Sequence, residues 1–217
     1  MVLMRVVKMV LNVVVVGVGG QGLLLLSRLI GESVIASNTD INVSVAETHG
    51  LSQRGGSVIV HIRMGKEVFA PLIPRGEANI MLALEMLEAA RYLDYLSRNA
   101  IVAVNDKVIR PIALKGSLPS KEELLSALKS KSSNVYVIKA SETALALNAP
   151  LSANMALLGF IGYILEVKGI IDINMVKEII KGVGRGRVRE ANLKLFNYGY
   201  SAARNLVRDD IINKLPY

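Results

Sequence analysis

No cysteine occurs anywhere in the 217 residues, and that absence removes a great deal of chemistry at once. It excludes a disulfide framework, a cysteine nucleophile and any cysteine-ligated iron–sulfur cluster or zinc site within the chain. Histidine is almost as scarce. With only His49 and His61, a histidine-based metal site would need carboxylate help, and neither histidine has a HExxH-type neighbour. Tryptophan is missing and aromatics are few, although Lys and Arg exceed Asp and Glu and leave a net charge of +8. The basic residues are scattered apart from one local run, Arg185, Arg187 and Arg189. No aromatics interleave with that run as a stacking surface for nucleic acid requires, so it reads as a solvated helix entrance and no nucleic-acid partner is expected.

Long apolar runs are absent too. The longest uninterrupted one, "MALLGFIGYIL" from Met155 to Leu165, is well short of the roughly 20 residues of a membrane-spanning helix. The N-terminal segment has charges ahead of an apolar stretch, as a signal peptide does. No small-residue cleavage site follows, however, and Asn12 opens a tight valine run that ends in a glycine loop. A cytoplasmic location and no membrane partner are expected.

What remains is a chain 52% hydrophobic and only 20% charged, able to bury a substantial core. Residues Leu11–Val16 suit a central parallel strand. "GVGGQG" (Gly17–Gly22) follows, then an apolar helix over 23–37. "INVSVAE" is a second strand ending at Glu47, and "SVIVHIRM" (57–64) alternates as a third. Gly65–Lys66 and "EVFA" (67–70) suggest a hairpin, which makes the sheet mixed. "ANIMLAL" (78–84) is a buried strand and 85–96 a helix. "AIVAVN" and "KVIRPI" are strands around an Asn105–Asp106 turn. Ser120 and Glu123 open an amphipathic helix in capping-box spacing, and "NVYVIKA" (134–140) closes the strand series. After Pro150 only helices are expected, over about 153–168, 173–181 and 188–207. The reading is one domain over residues 1–217: a three-layer, Rossmann-like α/β core of mostly parallel strands (11–150) with a helical C-terminal part (151–217).

Two loops carry the functional signal. Gly17-x-Gly19-x-x-Gly22 between a strand and a helix matches the dinucleotide fingerprint, in which glycines let the backbone approach a pyrophosphate at a helix N-terminus. Glu47, closing the second strand, stands where a ribose-binding acid could sit. The plainer account is tight strand-to-helix packing, for which Gln21 is an unusual residue. The second loop, "ETHGLSQRGGSV" (47–58), goes beyond what a dinucleotide domain needs. Gly55 and Gly56 permit positive φ and hence a backbone anion nest beside Arg54. Gln53 and Arg54 offer directed donors, and His49 can donate, accept or shuttle a proton. The bland alternative pairs Arg54 with Glu47 and ties His49 to a carbonyl. Two polar glycine loops at one end of adjacent strands favour a ligand or subunit contact, and His61 is expected to be structural.

These residues occur together in a known family. "GVGGQG", "AETHGLSQRGGSVIVHIRMG", "ALEMLEAARYLDYLSRNAIVAVND", "NMALLGFIGYI" and "ANLKLFNYGY" resemble the gamma-type subunits of 2-oxoacid:ferredoxin oxidoreductases from about Val13 to Tyr200. Within that family they are most similar to the indolepyruvate type (its beta subunit), with the pyruvate and 2-oxoglutarate types close behind. The resemblance implies oxidative decarboxylation of a 2-oxoacid, with coenzyme A as co-substrate and ferredoxin as electron acceptor, in a hetero-oligomer. Thiamine diphosphate, Mg2+ and iron–sulfur clusters would belong to a large catalytic partner subunit, since this chain has no cysteine and no GDG followed by a downstream NN. No catalytic residue is expected in this chain. Gly17, Gly19, Gly20, Gln21 and Gly22, with Glu47, His49, Gln53, Arg54, Gly55 and Gly56, would form a surface facing the partner's active site. A free-standing NAD(P)-binding protein is the alternative.

Overall fold

The computed structural model describes residues 10–37, 40–49, 55–111 and 114–217. Its sheet forms because four strands carry apolar residues on both faces and are buried at most positions. Strand β1 (Val10–Val18) shows how. Leu11, Val13 and Val15 enter one hydrophobic cluster while Val14 and Val16 enter another on the opposite face. The same alternation splits β3 (Ser57–Gly65), β4 (Ala78–Ala83) and β5 (Leu96–Asn105) between the two clusters. Adding β2 (Asn42–His49) and β6 (Asn134–Ile138) gives the order β2-β3-β1-β4-β5-β6. All neighbours are parallel except at β3, which runs antiparallel to both β2 and β1.

Helices cover both faces, giving three layers. Helix α1 (Leu23–Ser37), the short α4 (Ala140–Ala146), α5 (Asn154–Val167), α6 (Ile173–Lys181) and α7 (Arg187–Leu206) contribute to the first cluster, with α8 (Asp209–Asn213) behind them. Helices α2 (Met86–Arg91) and α3 (Lys121–Lys131) cover the second. The C-terminal helices thus share one core with the sheet. The stretch 150–167, apolar enough by composition to cross a membrane, is 67% buried inside this fold. The expected capping box at α3 is present, with the Glu123 N–H donating to Ser120 Oγ at 3.1 Å and the Ser120 N–H to Glu123 Oε2 at 2.7 Å.

Several expectations are corrected. The hairpin is β2–β3, joined through the segment that begins at Gly50, and not a unit built on Gly65–Lys66. Residues 67–70 form no strand because β3 already has β2 on one edge and β1 on the other. Residues 107–111 form none either. The sheet edge they would need is taken by β6, and their backbone turns to α2 instead: the Met86 N–H donates to the Lys107 carbonyl at 2.8 Å. The helix expected over 85–96 stops at Arg91, and after a 3-10 turn over Leu93–Tyr95 the chain already enters β5 at Leu96. Ala140 starts α4 rather than ending β6. Strands β1 and β2 are not adjacent, since β3 lies between them.

Candidate functional site

Helix α1 lies on one face of the sheet and α2 on the other, so the chain leaves the neighbouring strands β1 and β4 in opposite directions. A crevice opens at such a point beyond the carboxyl ends of the strands. The Gly17–Gly22 turn stands there. Gly20 and Gly22 have φ of +101° and +78°, which an L side chain rarely adopts. Gln21 holds the turn from within: its Oε1 accepts the Val18 N–H at 2.7 Å and its Nε2 donates to the Leu84 carbonyl at 3.2 Å. Gly17 is required by that amide, because a Cβ at this position would lie 2.7 Å from Gln21 Oε1.

The second loop closes on the first. The Gly19 N–H donates to the Gly56 carbonyl at 2.9 Å. Val18 pairs with Ser57, while His49, Val58 and Gly17 form one row across three strands. The reversed strand β3 therefore brings the two glycine segments together although β1 and β2 do not touch. Gly55 adopts a left-handed backbone with φ +74°, and Gly56 does not. Glu47 is placed elsewhere. It is paired with Val60, two strands from β1, and lines an apolar groove between α1 and the edge strand β2 with Leu24, Ile35, Val43 and Val45. Only the backbone of His49 is described, and Gln53 and Arg54 lie outside the described residues. The geometry is a poor match for a pyrophosphate cradle, since the Gly19 N–H is engaged by Gly56 and the Gln21 amide fills the turn.

Three residues that the sequence reading passed over complete the site. A cleft of about 160 Å³ is lined by Gly20, Gln21, Asn105, Lys107, Ser141 and Leu151, among others. Asn105 ends β5 and is buried, with its Nδ2 donating to the Leu84 carbonyl at 3.0 Å and to Ser141 Oγ at 2.8 Å. Its Oδ1 accepts the Ser141 N–H at 3.0 Å. Lys107 stands exposed at the mouth. The signal in the sequence is a buried apolar strand that ends in Asn-Asp-Lys at the carboxyl side, which by itself reads only as a turn.

Two buried carboxylates, Glu85 and Glu88, follow Leu84, which lines the cleft. Glu85 caps α2, accepting the N–H groups of Leu87 at 3.0 Å, of Glu88, and of Ile109 at 3.3 Å. Burial pushes its pKa up from the usual value, while those backbone donors and the neighbouring Glu88 modify the shift in opposite senses. Glu88 is 3% exposed and takes donors from Ser57 and Arg91. His61 lies on the second face of the sheet, buried, where its Nδ1 accepts the Ile73 N–H at 3.3 Å. Arg185, Arg187 and Arg189 are exposed where α7 begins. Among the described residues no group of three His, Cys, Asp or Glu side chains could hold a metal ion.

The fold and the loops define a Rossmann-like protein whose polar end, among the described residues, is shaped by backbone, amides and hydroxyls and holds no group of three metal-ligating side chains. Comparison with known proteins makes the class specific. Residues 12–202 match the family model described as pyruvate ferredoxin/flavodoxin oxidoreductase, and the chain belongs to that family as a gamma-type subunit. It is an accessory subunit of a 2-oxoacid:ferredoxin oxidoreductase. It is 41% identical over 197 residues to the indolepyruvate oxidoreductase subunit IorB of Archaeoglobus fulgidus, covering 89% of this chain and 95% of that protein. The subunit of the same description from Methanothermobacter thermautotrophicus is 39% identical, covering 88% of this chain and 97% of the relative. A solved 2-oxoglutarate:ferredoxin oxidoreductase from Magnetococcus marinus, with 2-oxoglutarate, coenzyme A and succinyl-CoA bound, superposes with a TM-score of 0.67 at 20% identity. The match covers 92% of this chain and 32% of the longer one.

Proposed function

We propose that this subunit serves an enzyme that oxidatively decarboxylates aryl 2-oxoacids, indolepyruvate foremost. In that reaction the oxoacid and coenzyme A yield an arylacetyl-CoA and carbon dioxide, and the electrons pass to oxidised ferredoxin. The observation that carries the reading is near-full-length similarity to two IorB subunits at about 40% identity. Thiamine diphosphate, Mg2+ and the iron–sulfur clusters reside in a large partner subunit. The donor set here does not fit the clusters, for there is no cysteine to ligate iron, and among the described residues no group of three His, Cys, Asp or Glu side chains could hold a metal ion. The assembly is a cytoplasmic hetero-oligomer that reduces ferredoxin.

Within it, the loop end of the sheet faces the partner's active site and helps form the entry for coenzyme A or the oxoacid. The polar cleft at Asn105, Ser141 and Lys107 is lined in part by a solvent-exposed apolar residue, Leu151 at 85% exposure, as suits a subunit contact. Arg54 supplies the anion contact, and Gly55 and Gly56 allow the ligand close to the backbone.

The test is co-production with the large subunit, followed by viologen reduction with indolepyruvate, phenylpyruvate, pyruvate and 2-oxoglutarate. Activity dependent on coenzyme A and greatest with the aryl oxoacids supports the reading. A preference for pyruvate or 2-oxoglutarate overturns the substrate class. Arg54→Ala is expected to raise KM for coenzyme A or the oxoacid with assembly intact.

A further inference from the structure

Three loops line the carboxyl end of the sheet, and all three are fastened to one short segment, Leu84–Glu88. The glycine turn is held by Gln21, whose amide donates to the Leu84 carbonyl at 3.2 Å. The β5 exit is held three times, by the Asn105 amide on the same carbonyl at 3.0 Å, by the Met86 N–H on the Lys107 carbonyl at 2.8 Å and by the Ile109 N–H on the Glu85 carboxylate at 3.3 Å. The exit of the β2–β3 hairpin is held by Ser57, whose hydroxyl donates to Glu88 Oε2.

The last attachment is the costliest. A carboxylate taken out of water is strongly destabilising unless both of its oxygens find donors. Glu88 has a side chain only 4% exposed, and both oxygens are in use: Oε1 by the Arg91 Nε–H at 3.1 Å, Oε2 by Ser57. Since the Ser57 hydroxyl points its hydrogen at the carboxylate, the Tyr92 hydroxyl, 2.8 Å away, must donate to Ser57 Oγ. The result is a directed chain, from Tyr92 to Ser57 to Glu88, with Arg91 closing the other side. Ser57 directly follows Gly56, whose carbonyl accepts the Gly19 N–H, and it pairs across the sheet with Val18. One buried carboxylate on α2 therefore fixes the point at which the hairpin loop rejoins the sheet beside the glycine turn.

We infer that Glu88 is a positioning residue: through Ser57 it sets the hairpin exit against the Gly19 turn, and so sets the affinity of the site for its anionic ligand. The inference rests on the proposal that this end of the sheet binds a ligand, and its test separates the two. Glu88 touches no ligand itself. Its carboxylate acts by keeping Ser57, and with it the Gly56 carbonyl, in register. A neutral isostere that can still accept from Ser57 preserves part of this, whereas truncation leaves Ser57 and Arg91 without their acceptor.

The experiment uses the full chain assembled with its large partner, as wild type, Glu88→Ala, Glu88→Gln, Ser57→Ala, Tyr92→Phe and the double variant Ser57→Ala/Glu88→Ala. Two readouts are taken: KM and kcat with coenzyme A varied at saturating oxoacid, and amide hydrogen exchange of the peptides containing Gly19 and Gly55–Val58. Glu88→Ala is expected to speed exchange in both peptides and to raise KM about tenfold, more than it lowers kcat. Glu88→Gln is expected to recover most of the affinity, Tyr92→Phe to show a smaller effect in the same direction, and the double variant to be no worse than the worse single one. Unchanged exchange in Glu88→Ala overturns the positioning role, and faster exchange with unchanged KM overturns its link to ligand affinity. If Glu88→Ala fails to assemble, Ser57→Ala and Tyr92→Phe decide by the same readouts. If no oxoacid is oxidised even by wild type, the functional reading has failed, and the exchange comparison still decides whether Glu88 holds the loop.

Discussion

The backbone N–H of Gly19 donates to the carbonyl of Gly56 at 2.9 Å, so the two glycine segments of this subunit form one structure. Neither is a free-standing cradle. The turn after β1 needs glycine to turn sharply and to accommodate Gln21, and the end of the hairpin loop closes over it. This union depends on β3, the one strand that runs against the rest, because Val58 of β3 is paired with both Gly17 and His49. Remove the reversal and the start of β3, with Gly55 and Gly56 just before it, would lie at the far end of the sheet.

Replacing Gly17 tests how tightly that turn is filled. A Cβ on Gly17 would stand 2.7 Å from Gln21 Oε1 and 3.1 Å from Leu84 Cβ, so Gln21 must leave and the Val18 N–H loses its partner. Gly17→Ala is expected to cost about 2–3 kcal/mol by chemical denaturation. At Gly20 an added Cβ meets nothing within 4 Å, but φ is +101°. Gly20→Ala is expected to cost about 1–2 kcal/mol from backbone strain alone. Equal stability of wild type and Gly17→Ala would mean that Gln21 is not wedged against this position.

A sharper steric prediction concerns helices α5 and α7, which pack backbone to backbone. A Cβ on Gly199 would lie 1.7 Å from the Ala156 carbonyl oxygen, and one on Gly159 would lie 1.9 Å from that of Phe196. These obstacles are main chain and cannot rotate away. Gly159→Ala or Gly199→Ala should force the helices apart, at a cost of about 3 kcal/mol or more, and lower the yield of folded chain. Gly162→Ala is the control, since its nearest neighbour is the Phe196 ring at 3.3 Å, and a loss below about 1.5 kcal/mol is expected there. Thermal melts of the three variants side by side check the order.

How far the sequence could be read depends on distance along the chain. Val10 to Ser37 was legible because a valine run, a glycine turn and an apolar helix are local signals. The reversed β3 was only partly so: alternation marks a strand, but nothing in residues 57–65 says that both of its edges are taken. The sequence therefore suggests a hairpin at Gly65–Lys66 that the sheet has no edge to receive. The site shows the same limit. Both glycine segments stood out by composition, whereas Asn105 and Ser141 meet across 36 residues and Ser57 reaches Glu88 across 31. Glu85 and Glu88 read as the polar start of an ordinary helix. Only the fold turns them into fastenings for the β5 exit and the hairpin exit.

Tyr200 gives an alkaline signature. Its hydroxyl donates to Glu166 Oε2, and that hydrogen bond, with burial and the carboxylate's charge, pushes its pKa up to about 12. A pKa raised in the folded state means that the hydrogen-bonded phenol favours the fold at all pH below about 10. That contribution is lost as pH rises through about 12. Ultraviolet titration of phenolate should therefore show a late-ionising tyrosine that is absent in Tyr200→Phe. A titration curve that keeps its late step in Tyr200→Phe would assign it to another ring.

His61 supplies the acid-side counterpart. It is 2% exposed, its ring packs edge-on to Tyr95 at 5.4 Å, and burial lowers its pKa below the ordinary 6.5. Its Nδ1 accepts the Ile73 N–H at 3.3 Å, so that nitrogen must be unprotonated and the proton of the neutral ring sits on Nε2. The sign then follows. In the unfolded chain the imidazole takes up a proton near 6.5, while the folded state resists protonation until lower pH. The stability contributed by neutral His61 is fully present above 6.5 and is lost as pH falls through the lowered folded value. Asparagine can keep an acceptor near Ile73 without titrating, so His61→Asn should be less stable than wild type at pH 8. The gap between them should narrow as the pH drops from 6.5 toward 5. Urea denaturation of both proteins at half-unit steps measures that gap directly. A gap that stays constant across the range would show that His61 is as readily protonated in the folded protein as in the unfolded chain, and that its burial beside Ile73 and Tyr95 has no electrostatic consequence.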